Sequence, residues 1–163
     1  MDSEELFFEA ETRKHQQSVA NKISFAVQEL LHRARQHDAT KLVSPERQCF
    51  VEYTPKLRDL TYGTPEYKKS LDAMGPALEH HYEHNRHHPE HFNGDMGAMT
   101  LIDLLEMLCD WMAATERHRD GDIFRSIEQN QARFGYDKTL ARTLKNTAKM
   151  LLETADREPV FDD

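Results

Sequence analysis

Val19-Ala20-Asn21-Lys22-Ile23-Ser24-Phe25-Ala26-Val27-Gln28-Glu29-Leu30-Leu31-His32-Arg33-Ala34 sets Val19, Ile23, Ala26, Val27, Leu30 and Ala34 at three- and four-residue steps. Those steps trace one face of a helix, not the alternation of a strand. No Gly or Pro interrupts the chain from Glu4 to Arg35, so the pattern predicts one helical segment over residues 4–35. His15 falls on the same stripe, four residues before Val19, and is expected to face the core.

Downstream, punctuation and periodicity repeat the message. Ser44-Pro45-Glu46 reads as an N-cap followed by Pro at the first helical position, opening a short helix through roughly Tyr53. Thr61-Tyr62-Gly63-Thr64-Pro65-Glu66 reads as a turn that restarts a helix bearing Tyr67, Leu71, Met74, Leu78 and then a run of histidines. Pro76 is expected to kink that helix, and Pro89 to end it, because the residue before a proline avoids the helical region. Asn93-Gly94-Asp95-Met96-Gly97 reads as a loop, and Thr100 caps an apolar helix carrying Leu101, Leu104, Leu105, Leu108, Trp111 and Met112. Asp120-Gly121-Asp122 breaks the chain before helices expected at residues 123–133 and 137–154, within a C-terminal helical region 121–156 and ahead of a frayed tail at 157–163. Strand signals are nearly absent. The expected fold is all-α: one domain over residues 1–163, a bundle of six to seven helices with its site-bearing core over residues 12–115.

At 163 residues the chain can bury a real core. A net charge of −8 leaves no surplus of Lys and Arg to coat duplex phosphates, so a nucleic-acid duplex is not an expected partner. No apolar run is long enough to span a bilayer, and membrane is not expected either. The acidic opening Met1-Asp2-Ser3-Glu4-Glu5 lacks the basic-then-apolar order of a signal peptide. Cys49 and Cys109 lack metal-type spacing and read as buried small hydrophobes. The expected compartment is the cytoplasm.

Three constellations carry chemistry. Five histidines fall within the nine residues His80-His81-Tyr82-Glu83-His84-Asn85-Arg86-His87-His88, and neutral imidazole is a common metal ligand. If the helix continues, His81, Asn85 and His88 share one face, while His80, His84, His87 and His91 share a neighbouring one. The His81 face is expected to point inward, with His87 or His88 reaching the site from the helix end. His80, His84 and His91 are expected to be solvated groups that complement the helix dipole. Upstream, His37-Asp38 offers a nitrogen and a hard oxygen to one cation, and Lys41, a turn later, offers a point charge to a phosphate oxygen. Asp103, Glu106 and Asp110 form a stripe on the apolar helix. A carboxylate there must be paired, protonated or metal-bound. Salt bridges account for Asp103 and Glu106, and Asp110, followed by the small residues Ala113 and Ala114, is the preferred metal ligand.

His15, His37-Asp38 and Asp110, in that order, resemble the HD-domain superfamily of all-helical, metal-dependent phosphohydrolases. The form His37-Asp38-Ala39-Thr40-Lys41 resembles branches that add further histidines and bind two metals. The block His81, Asn85-Arg86-His87-His88-Pro89-Glu90, together with His37-Asp38 and Ser44-Pro45-Glu46, resembles more closely a small HD-like family common in bacteriophage and bacterial genomes. The resemblance implies that His15, His37, Asp38 and Asp110 hold a divalent cation. It further implies that His81, Asn85 and His87 or His88 serve a second metal or the phosphate, with Asp38, Lys41 and His88 taking part in catalysis. Sharing one metal requires the chain to reverse between His15 and His37, near residues 23–29, where no Gly or Pro stands.

The function so implied is hydrolysis of a nucleotide or other small phosphate ester by a metal-activated water, with one or two ions of Mn, Co, Mg, Fe or Zn. Two alternatives use the same residues: an HD-fold di-iron oxygenase, and a non-enzymatic helical binding module with a structural metal. A homodimer is compatible with all three. In a phage-encoded chain the compartment would be the host cytoplasm.

Overall fold

A computed structural model of the chain describes residues 2–58, 60, 64–117 and 121–155. Among them stand seven α-helices: α1 (Ser3–Gln36), α2 (Glu46–Arg58), α3 (Pro65–Ala73), α4 (Gly75–His84), α5 (Leu101–Glu116), α6 (Ile123–Phe134) and α7 (Lys138–Ala155). Three 3-10 turns, Ala39–Leu42, Pro89–Phe92 and Met96–Ala98, join them. The all-α expectation holds, with no strand among the described residues. No described helix is long and apolar enough to cross a membrane. The turn residues Thr61-Tyr62-Gly63, Asp120 and the tail 157–163 lie outside the described residues.

The chain divides into two units, Met1–His37 and Asp38–Asp163. The first is α1, opened by a capping box in which Asp2 and Glu5 satisfy each other's backbone donors. With no Gly or Pro to stop it, the helix runs unbroken to its C-cap, His37. None of its residues is buried. Val19 and Ile23 are 41% and 58% exposed, and His15 is exposed as well. The expectation that this stripe and His15 face a core is therefore corrected. Periodicity encodes an apolar face, but not what covers it.

In the second unit, Met107 and Leu108 of α5 pack with Ile123 and Ile127 of α6 and with Ala141, Leu144 and Ala148 of α7. Tyr136 joins this core between α6 and α7 and donates its hydroxyl to the Ile127 carbonyl at 2.6 Å. Gly135, at φ 70°, ends α6 in the left-handed conformation that glycine adopts without penalty. Thr100 caps α5 as expected, accepting from the Asp103 amide at 3.2 Å. One edge of α5 is acidic: Asp103 is fully buried and bound by both Arg86 Nε and Nη2, at 3.2 and 3.0 Å.

α2 runs on through Pro55 to Arg58 rather than ending near Tyr53, and the histidine-bearing helix differs from the sequence reading at both a break and its end. The helix expected to kink at Pro76 instead breaks at Met74, and Pro76 sits in the first turn of α4, where its missing N–H is no loss. That helix ends at His84, well before Pro89. Asn85 turns extended, at φ −122° and ψ 100°, and its side-chain amide donates to the His81 carbonyl at 2.8 Å. The amide satisfies a carbonyl that the next helical turn would otherwise have taken. Of the two cysteines, Cys49 is partly buried and Cys109 is exposed, so Cys109 is not the buried residue expected.

Candidate metal centre

Asp38 follows α1 directly and adopts the left-handed conformation, φ 57°, which short Asp side chains tolerate. The turn it enters returns Lys41 to it, and Lys41 Nζ donates to Asp38 Oδ2 at 2.5 Å. Asp38 Oδ1 faces the histidines, 3.3 Å from His81 Nε2 and 3.7 Å from His87 Nε2.

Behind His81 stands Glu46, at the start of α2 and fully buried. Its carboxylate meets His81 Nδ1 at 2.9 Å and His80 Nδ1 at 2.8 Å, and accepts from the Thr40 hydroxyl at 2.9 Å. Burial alone would raise the Glu46 pKa; the hydrogen bonds from His80, Thr40 and His81 overcome it and hold the group below its ordinary value. A carboxylate only accepts here, so it selects the tautomer with hydrogen on His81 Nδ1 and a lone pair on Nε2. Asn85 braces the same corner, donating to Thr40 Oγ1 at 2.9 Å.

His87, 2% exposed, repeats the device from the other side, with Nδ1 3.1 Å from Glu106 Oε1 on α5 and Nε2 toward Asp38. His88 Nε2 lies 2.9 Å from His81 Nε2. Burial is the main cause that pushes His88 down to about 2, aided by the neighbouring His87 and His81, while Asp110 opposes the shift. His88 is thus a neutral imidazole at physiological pH.

One donor atom from each of Asp38, His81, His87 and His88 comes within 4.8 Å of every other. Three imidazole nitrogens and one carboxylate oxygen make a set suited to a borderline first-row divalent ion. Glu46 and Glu106 supply the outer hydrogen bonds that metal-binding imidazoles characteristically make. The donor chemistry fits a metal.

The early end of α4 frees the chain after Asn85, and so both His87 and His88 join the cluster rather than one of them. His84 Nδ1 instead faces the His80 carbonyl at 2.8 Å, and His91 Nδ1 faces the Tyr82 carbonyl at 2.9 Å. Those two stay outside the cluster, whereas His80 joins it through Glu46. Asp103 has the salt bridge expected of it. Glu106 meets His87. Asp110, partly buried on α5, faces His88 electrostatically.

His37 caps the end of α1 and is joined by its peptide bond to Asp38. His15 stands 22 residues before His37 in the same unbroken helix, a separation of roughly 33 Å. One ion cannot bind both within this chain, because the required reversal near residues 23–29 is absent. Sequence reasoning did not assign Glu46 and Glu106 to the imidazoles they bind. Glu46 stood out only as part of the Ser44-Pro45-Glu46 motif at a helix start, where an acid is ordinary, and Glu106 only as a carboxylate in need of a partner.

Fold and cluster together define an all-helical protein with a candidate histidine–carboxylate metal centre. The chain belongs to the family of unknown function DUF5662, whose model matches residues 4–157. No curated protein and no solved structure matches it.

Proposed function

We propose that the protein is a divalent-metal-dependent phosphohydrolase of the HD type, acting on a nucleotide or another small phosphate ester. The observation that carries this reading is the convergence of Asp38, His81, His87 and His88, with Glu46 and Glu106 fixing two of the imidazoles. An ion held by those four residues would lower the pKa of a bound water enough to supply a nucleophile near neutral pH.

The remaining groups fit the same chemistry. Asp38 and Lys41 are partly exposed, at 22% and 30% of their side chains, and would meet an incoming phosphate. Lys41, seated over the Phe50 ring at 5.0 Å, offers a positive charge beside the donor set. His88, its basicity strongly lowered by burial, acts as a neutral ligand. Asp110, which faces it electrostatically, is a further carboxylate beside the donor set.

A second reading rests on one specific observation. His81 and His87 are 1% and 2% exposed, and four protein donors converge. Structural zinc sites are closed in that way, while catalytic ones keep a position open. Protein stripped of metal and reloaded in turn with Mn, Co, Mg, Fe and Zn, then given a panel of nucleotides and phosphate esters, separates the two. Phosphate release that depends on Asp38 supports hydrolysis. No release from any substrate with any metal removes the hydrolase reading.

A further inference from the structure

The longest helix leaves most of its apolar stretch exposed, with Leu30 partly buried. Val19, Ile23 and Val27 are 41%, 58% and 47% exposed, and no residue of α1 is buried. Val19, Ile23, Ala26 and Leu30 follow one another at steps of four, three and four residues, the seam spacing of paired helices.

We propose that two copies of this chain associate through α1, the helices running antiparallel about a two-fold axis between Ser24 and Phe25. In that register Val19 meets Leu30 of the second copy and Ile23 meets its Ala26, a large residue against a small one. The flanking positions then decide the partner. Lys22 falls beside Glu29 of the second copy, twice by symmetry, while Ala20 falls beside its Val27. Lys22 and Glu29 stand seven residues apart in the sequence, too far to pair within one helix. They match across the two-fold axis, as an isologous interface demands.

A parallel pair would set the acidic start of the helix, Asp2, Glu4 and Glu5, against its own copy. Antiparallel pairing separates the two starts. The seam from Val19 to Leu30 covers roughly 17 Å of helix, at or below the small end of specific interfaces, so the dimer is a weak one.

Sedimentation velocity of the full chain over a concentration series tests this. The expected result is a monomer–dimer equilibrium that Lys22→Glu or Glu29→Lys alone weakens about fivefold or more. The double variant K22E/E29K restores the original affinity, and circular dichroism confirms that all three variants stay helical. A monomer throughout the series overturns the proposal. So does a dimer indifferent to the single substitutions, or one that the double variant fails to rescue.

Discussion

Glu46 meets Nδ1 of His81 at 2.9 Å from a position with no solvent exposure. That contact turns the opposite ring nitrogen toward Asp38 and His88. Glu46→Gln keeps the shape but loses the charge that fixes the tautomer. Its affinity for a divalent ion should fall about 10- to 100-fold, measured by competition with a chromophoric chelator. Unchanged affinity would mean that Glu46 is not supporting a ligand.

Lys41 touches Asp38 and lies among the more exposed groups of the cluster. In the hydrolase reading, Lys41→Gln raises KM for a phosphate ester about tenfold or more, since it deletes a point charge on the anion's path. Metal content should remain that of the unaltered protein. Loss of metal together with activity would assign Lys41 to holding Asp38 instead.

Much of this was legible in advance, for reasons that differ from element to element. Thr64-Pro65 and Thr100 announced α3 and α5 because capping is written locally: each hydroxyl accepts from an amide three residues on. The charged stripe Asp103, Glu106 and Asp110 was readable because burial in an apolar helix forces each carboxylate to find a partner. The choice of partner was not readable, since Arg86 and His87 come from a segment whose path depends on α4 ending at His84. That end is set by Asn85 folding its amide back onto His81, and an asparagine within a histidine run carries no distinctive signal. The fate of the α1 stripe was hidden for another reason: an apolar face looks the same in sequence whichever surface covers it.

Asp103 takes both prongs of Arg86 and also accepts from the Thr100 amide at 2.9 Å. Asp103→Ala removes the carboxylate half of the capping box, leaving the Thr100 cap in place, and leaves these donors without their acceptor. The expected cost is about 2–4 kcal/mol, read as a lower urea midpoint with an unchanged slope. A loss below about 0.5 kcal/mol would show that water replaces the carboxylate at no cost.

Burial pushes Tyr136 up to about 12. Its neutral form is favoured in the folded state, so it contributes stability in full below the ordinary phenol range. That contribution is lost as pH rises through roughly 10 toward 12. Ultraviolet titration should show one phenol ionising later than the rest. Tyr136→Phe should remove this late step and cost about 1 kcal/mol through the lost bond to the Ile127 carbonyl. Retention of the late step in that variant would assign it to another tyrosine.

The central claim is that Asp38, His81, His87 and His88 hold a divalent ion. Cobalt(II) titration of the metal-stripped full chain, followed by visible absorption and by metal analysis after dialysis, tests it most directly. The account predicts saturation with ligand-field bands of nitrogen coordination, lost in His81→Ala and in His87→Ala but kept in His15→Ala and His84→Ala. Absence of binding at millimolar cobalt, or binding that survives His81→Ala and His87→Ala together, would contradict it.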